Sequence, residues 1–159
     1  MIIKTKMTEK DFINVNFVFL YSKIAMKLFT GVISIFFILS ILTVAFTKAA
    51  YSTVITPIVL LAAMPLMTYY AARKNYRTNK RISETIEYQF DKDSLIIKGE
   101  SFNSQLTWDK FYKVTQTKNW ILIWQNRQVA NPIPKRDIWE GQLADLKLIL
   151  NEHKVKNNL

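Results

Sequence analysis

Two long uncharged stretches occupy the first half of this 159-residue chain: LFTGVISIFFILSILTVAFT at residues 28–47 and AAYSTVITPIVLLAAMPLMTYYAA at residues 49–72. A helix rises about 1.5 Å per residue, so about twenty residues match the roughly 30 Å hydrocarbon core of a bilayer. Two buried helices of a soluble core are the alternative, but so short a chain has too little polar surface to cover them. A signal peptide does not fit, because a second apolar stretch follows the first at once. The stretches predict two transmembrane helices.

The charges around these stretches predict how the chain is threaded. Only Lys48 separates the two helices, so residues 24–72 should form a tight antiparallel hairpin. Five Lys lie within residues 1–27 and five basic residues lie within residues 73–81, whereas the hairpin tip carries Lys48 alone. By the positive-inside rule, both termini of this multi-pass protein face the cytoplasm, which places it in the plasma membrane. Neither stretch holds an ionisable side chain, which argues against a proton relay or a coupled ion transporter.

A basic segment follows the second stretch, and residues 73–82 are predicted to continue its helix as a stem. On a helix, its five cations would fall within an arc of about 120°; they are Arg73, Lys74, Arg77, Lys80 and Arg81. Such a stripe can bind anionic lipid headgroups, at ~1 kcal/mol per basic residue. A solvated stem that only sets the topology is the plainer and compatible alternative. Nucleic acid is not expected as a partner, because the chain from Ile82 onward holds eleven basic and ten acidic residues.

The N-terminal segment, residues 1–23, is compatible with two secondary structures. MIIKTK favours a short strand, and Thr8 with Asp11 three residues later has the spacing of a capping box that starts a helix. The apolar residues that follow fit both strand alternation and helical spacing. Strong apolarity beside a membrane span favours an interfacial helix that runs into the first span, and the strand alternative stays open.

Residues 83–159 are predicted to form a β-rich cytoplasmic domain closed by a helix. Short β-prone runs alternate with turn signals; they are ETIEYQF, LIIKG, SFNSQLTW, FYKVTQT, WILIWQN and VANPIPKR. Pro132 and Pro134 restrict the last run to a sheet edge or to a partly unpaired position. Trp120, Leu122 and Trp124 share one strand face, which should be buried. The whole chain is therefore predicted to be an α+β membrane protein, with a small antiparallel sheet or partial barrel after the hairpin.

The terminal helix is expected to begin with Asp137 as its cap and Glu140 at the matching position. Its apolar side chains step at helical spacing along one face; they are Trp139, Leu143, Leu146, Ile149 and Leu150.

Residues suited to chemistry are few, so no enzyme activity, cofactor or metal site is expected. Cysteine is absent, and the one histidine, His153, lies in a polar tail where a solvated side chain is expected. Asp91 and Asp93 are better explained by turn chemistry than as paired carboxylates. The four Trp, including Trp108 and Trp139, are expected to pack in a core or interface. Lys135 and Arg136 could contact a lipid phosphate or an acidic partner, although a solvated strand end is the plainer interpretation.

The order of segments resembles the YcxB-like bacterial membrane proteins over nearly the whole chain. The resemblance rests on two spans, then LTWDKFYKVTQTKNWILIW at residues 106–124, then NPIPKRDI at residues 131–138 and a terminal helix. It implies a cytoplasmic domain similar to a pleckstrin-homology-like barrel, and it carries over no catalytic residue.

These observations lead to a functional expectation with two alternatives. We expect a non-enzymatic membrane protein whose cytoplasmic domain binds a protein partner or anionic lipid headgroups at the inner face, with self-association possible. One alternative is an immunity protein against a membrane-active bacteriocin or a secreted toxin. The other is an accessory subunit of a membrane transporter.

Overall fold

The chain divides into two units. The computed structural model describes residues 1–47 and 51–159. One unit, here called the β unit, comprises Met1–Asp11 and Asn79–Leu159, and the other, the helical unit, comprises Phe12–Thr78. The helices are α1 (Glu9–Ser22), α2 (Ile24–Thr47), α3 (Ser52–Thr78) and α4 (Glu140–Glu152). The strands are β1 (Ile2–Lys6), β2 (Thr85–Phe90), β3 (Ser94–Lys98), β4 (Asn103–Thr107), β5 (Lys113–Gln116), β6 (Trp120–Trp124) and β7 (Ala130–Pro134).

Helices α2 and α3 confirm the two long apolar helices that the sequence predicts. Both are long and apolar enough to cross a membrane. They pack against each other, and Ser40 and Thr43 of α2 line the same cavity as Thr53 and Thr56 of α3. Residues near the end of α2 thus lie beside residues near the start of α3, as expected for two antiparallel helices. The predicted tight connection, with Lys48 at its tip, lies outside the described residues.

The apolar side chains of α2 and α3 are largely exposed in the single chain. The most apolar part of α2 has 0% of its residues buried, and that of α3 has 6%. At the two ends of α2, Ile24 is 75% exposed and Phe46 is 81% exposed. A core helix of a soluble protein would instead bury at least one apolar face against its neighbours.

The segment after β1 is a helix, so the strand alternative for it is wrong. The capping box forms as predicted: the Asp11 amide donates to Thr8 Oγ1 at 3.2 Å, and the Thr8 amide donates to Asp11 Oδ2 at 2.9 Å. Helix α1 ends at Ser22 and α2 begins at Ile24, so α1 leads directly into the first apolar helix, with a break at Lys23.

The β unit contains two antiparallel sheets, which confirms the α+β class. All six strands predicted for the C-terminal part are present as β2 to β7, and β1 confirms the short strand predicted for MIIKTK. The strand orders are β1-β2-β3-β4 and β5-β6-β7. In β1, Ile3 and Thr5 are both buried, because alternate residues of a strand face the same side. Ile3 lies opposite Tyr88 of β2 in the sheet. Strand pairing in the described part of the chain thus gives two sheets rather than one closed barrel.

Strand β6 is central to the smaller sheet and is buried on both faces. All five of its residues are buried, which confirms the buried face of Trp120, Leu122 and Trp124. Its opposite face, Ile121 and Ile123, belongs to the main hydrophobic core. Strand β7, with its two prolines, lies at the sheet edge, which is one of the two positions predicted for it.

Two predictions for the C-terminal helix are wrong. Trp139, not Asp137, precedes the first residue of α4, and its amide donates to Gln142 Oε1 at 3.1 Å. Asp137 lies in a preceding 3-10 helix, where its carboxylate accepts the hydroxyl of Thr5 instead. Trp139 was expected to pack along the helix face, but it lies before the helix and is 80% exposed.

The C-terminal tail is packed rather than solvated. The Val114 amide of β5 donates to Lys156 O at 2.8 Å, and the Gln116 amide donates to Asn158 Oδ1 at 2.8 Å. Val155 is buried in the core. The tail therefore covers the free edge of β5, because the strand amides there need acceptors.

Candidate functional site

The basic segment after the second span is not one helix, so the predicted stem over residues 73–82 with a single stripe is wrong. Arg73, Lys74 and Arg77 lie on α3, which ends at Thr78. Lys80 and Arg81 belong to a 3-10 helix, Lys80–Ser83, in the other unit. The change occurs at Asn79, whose backbone is extended and whose Oδ1 accepts the Arg81 amide at 3.2 Å. An Asn side chain that caps a new turn in this way ends the preceding helix.

Arg81 has a defined contact within the β unit. Its guanidinium lies 4.5 Å from the centre of the Phe102 ring, which is a cation–π distance. Beside it, Glu84 accepts the Ser101 hydroxyl at 2.6 Å and the Ser101 amide at 3.0 Å. These two hydrogen bonds hold the pKa of the Glu84 carboxyl below its usual value. Arg81 is thus positioned by the loop between β3 and β4.

Lys135 and Arg136 both have partners within the chain. Lys135 Nζ donates to Gln116 Oε1 at 2.7 Å. Arg136 donates from Nη1 and Nη2 to the two carboxylate oxygens of Asp11, at 2.7 and 2.6 Å. Such a two-point pair is the strongest geometry of an Arg–carboxylate contact. Both cations therefore make contacts within the chain that the sequence did not predict, and the Arg136 side chain is still 52% exposed.

The Asp11–Arg136 pair joins the first turn of α1 to the 3-10 helix Lys135–Asp137 that follows β7. Asp11 is buried, and its pKa falls from 3.8 to about 2, chiefly through the hydrogen bonds from Arg136 and further through those from Thr8, while burial opposes the change. The hydrogen bonds between Asp11 and Arg136 also raise the pKa of Arg136. The pair spans 125 residues of sequence, and no local pattern in either segment predicts it.

His153 has a packing role that its place in a polar tail did not suggest. Its ring stacks on that of Trp108, with centroids 4.8 Å apart and planes 7° apart. Trp108 in turn stacks on Phe111 at 5.1 Å and donates its indole N–H to Lys92 O at 3.1 Å. Trp108 packs in the core as predicted, and His153 extends that aromatic group.

A cavity with mixed lining lies inside the helical unit, between α1 and α3. It has a volume of about 300 Å³. Its polar lining residues are Asn16, Lys23, Thr68 and Asn75. The sequence contains a weak signal for it, since Thr68 and Asn75 are seven residues apart and therefore lie on one face of α3. Among the described residues, no group of His, Asp and Glu could hold a metal ion.

Comparison with known proteins supports the resemblance over part of the chain. Residues 90–150 match the family model described as YcxB-like protein. The match confirms the resemblance for the segment from the end of β2 into α4. No curated protein and no solved structure gives a significant match.

Proposed function

We propose that this protein is a non-enzymatic integral membrane protein that holds its β unit at the cytoplasmic face of the plasma membrane. Helices α2 and α3 would cross the bilayer as a hairpin, with both termini in the cytoplasm. The observation that supports this most is the outward apolar surface of both helices, whose most apolar parts have 0% and 6% of their residues buried. Surfaces of this extent are unfavourable in water and favourable in hydrocarbon.

The β unit is proposed to be a pleckstrin-homology-like module that binds a protein partner or anionic lipid headgroups. A four-stranded and a three-stranded antiparallel sheet followed by a helix support this fold. Trp139, which is 80% exposed, supports a protein partner, because tryptophan is enriched in binding interfaces.

The basic residues after the second span are proposed to contact anionic headgroups. Arg73, Lys74 and Arg77 follow the uncharged part of α3 directly, so they would lie at the level of the lipid phosphates. Lys80 and Arg81 follow within the next turn, and both are exposed. Each such cation near an anionic surface contributes ~1 kcal/mol, and the contribution decreases within about 8 Å at physiological salt.

The threading can be tested with single cysteines, because the chain contains no cysteine. Tyr51→Cys marks the end of the hairpin that the proposal places outside the cell, and Gln128→Cys marks an exposed turn of the β unit. In intact cells, a membrane-impermeant maleimide should label Tyr51→Cys and should label Gln128→Cys only after permeabilisation. Labelling of Gln128→Cys in intact cells would refute the proposed orientation, and release of the protein by alkaline carbonate would refute membrane insertion.

Lipid contact can be tested with the full-length protein in detergent. The variant Lys74→Glu/Lys80→Glu reverses two exposed cations of the basic segment, and Lys92→Glu/Lys147→Glu makes the same change of net charge elsewhere. Mixed micelles that contain phosphatidylglycerol should bind the first variant about thirtyfold or more weakly than the second, since two reversed charges remove at least ~2 kcal/mol. Equal binding by the two variants would exclude a specific role for this segment.

A further inference from the structure

The cavity between α1 and α3 is a distinct feature of the helical unit, and its lining combines one cation with three uncharged polar side chains. Lys23 supplies the ammonium group, Asn16 and Asn75 supply amides, and Thr68 supplies a hydroxyl. The lining contains no carboxylate. Phe19 and Leu20 give it an apolar wall. A site of this composition favours an anion that is attached to an apolar group.

The position of these residues along the chain indicates where the cavity would lie in a bilayer. Lys23 immediately precedes α2, and Thr68 and Asn75 lie on either side of the point at which α3 changes from uncharged to basic. In the proposed membrane arrangement, both boundaries coincide with the cytoplasmic headgroup layer. The lining residues would therefore lie close to the depth of the lipid phosphates.

We infer that this cavity is a binding site for the phosphate and glycerol region of one anionic phospholipid. Lys23 contacts the phosphate oxygens, and the amides of Asn16 and Asn75 with the hydroxyl of Thr68 hydrogen-bond the phosphate, the glycerol or the headgroup. Phe19 and Leu20 contact the adjoining acyl chain. This inference rests on the proposed membrane location, but it concerns a bound lipid within the helical unit rather than surface attraction by the basic segment.

One internal contact is consistent with a ready-made site. Asn16 Nδ2 donates to Phe12 O at 2.7 Å within α1, which restricts the amide to one orientation and leaves its second N–H available. Lys23 lies in the break between α1 and α2, where its side chain is exposed.

The test uses the full-length protein in detergent and native mass spectrometry. Titration with phosphatidylglycerol, with phosphatidylcholine of the same chain length and with inorganic phosphate separates the possible sources of the phosphate group. Lys23→Gln removes the cation in the cavity, and Lys27→Gln removes an exposed cation four residues further on that does not line it. Ala71→Phe fills the cavity without a change of charge, because Ala71 also lines it.

We expect one tightly retained phosphatidylglycerol, with affinity reduced about fivefold by Lys23→Gln and less than twofold by Lys27→Gln. Ala71→Phe should abolish the tight site, and a far-ultraviolet circular-dichroism melt in detergent should show that the helices of each variant remain folded. Equal effects of the two lysine variants, equal retention of phosphatidylcholine, or displacement of the lipid by inorganic phosphate would overturn the inference. Carbonate extraction separates this from the proposed function: a protein that stays in the membrane but retains no lipid refutes only the lipid site.

Discussion

The contact between Asp11 and Arg136 predicts a pH-dependent loss of stability in the β unit. The pKa of Asp11 falls from 3.8 to about 2 in the folded protein. One pKa unit corresponds to about 1.4 kcal/mol, so the full change corresponds to about 2–2.5 kcal/mol at neutral pH. The Arg136 side chain is 52% exposed, and solvent screening therefore reduces the expected contribution to about 1–2 kcal/mol.

The sign of the pH dependence follows from the lowered pKa. A carboxylate whose pKa is lower in the folded state stabilises that state above its unfolded pKa, near 4, and this contribution disappears as the pH falls towards 2. Asp11→Asn removes the charge but keeps an oxygen that can cap α1. At pH 7 the substitution should lower Tm by about 5–10 °C, since a unit of this size loses roughly 4–8 °C per kcal/mol. The difference between variant and wild type should be constant above pH 5 and reduced to a small fraction near pH 2, where Asp11 is about half protonated in the folded protein.

Tryptophan fluorescence during thermal unfolding in detergent is a suitable assay, because Trp108, Trp120 and Trp124 are buried in the β unit. A double-mutant cycle with Arg136→Gln isolates the energy of the pair from the separate role of Asp11 in capping. The matched control is the Lys4–Glu87 pair, at 3.0 Å but with side chains 67% and 27% exposed, for which Glu87→Gln should change stability by less than about 0.5 kcal/mol. An Asp11→Asn protein with the wild-type Tm at pH 7, or with a Tm difference that persists at pH 2, would refute the reasoning.

Two further substitutions test packing in the β unit, and both can be measured by the same melt. Gly99→Ala should destabilise the unit by about 1–3 kcal/mol, because the added carbon would lie 2.3 Å from Phe102 Cε1 and 2.7 Å from Glu84 Oε2. The control Gly141→Ala places its carbon where nothing lies within 4 Å and should be neutral or stabilising. Equal Tm values for these two variants would contradict this prediction. His153→Ala should cost about 0.5–1.5 kcal/mol through loss of the stack on Trp108, and an unchanged Tm would show that the stack contributes nothing.

Features set by local pattern could be predicted from the sequence. The two apolar helices follow from length and composition, and the strands follow from β-prone runs between turn residues. The Thr8–Asp11 capping box was predictable because it needs only residues three apart. The edge position of β7 was predictable because Pro132 and Pro134 cannot donate to a sheet.

Features that depend on contacts between distant segments could not be predicted. Pairing of β1 with β2 brings Ile3 beside Tyr88, although both apolar helices lie between these residues in the sequence. No periodicity in the sequence indicates such a partner. Asp137 had the spacing of a helix cap, but the hydroxyl of Thr5 binds its carboxylate instead. The prediction of a continuous basic helix was wrong for a local reason. The Asn79 side chain accepts the Arg81 amide and so competes with the backbone hydrogen bonds of the helix, and the spacing of charges gives no information about that competition.

The split composition of the β unit, Met1–Asp11 with Asn79–Leu159, imposes an order on biosynthesis. Strand β1 is synthesised before both apolar helices, and its partner β2 only after them. During that interval β1 has an unpaired edge, which is a hazard for association with other chains. Its alternating Lys residues, at positions 4 and 6, place charges along that edge and would discourage wrong pairing until the larger sheet can form. The two apolar helices can thus enter a bilayer before the β unit that flanks them in sequence is complete.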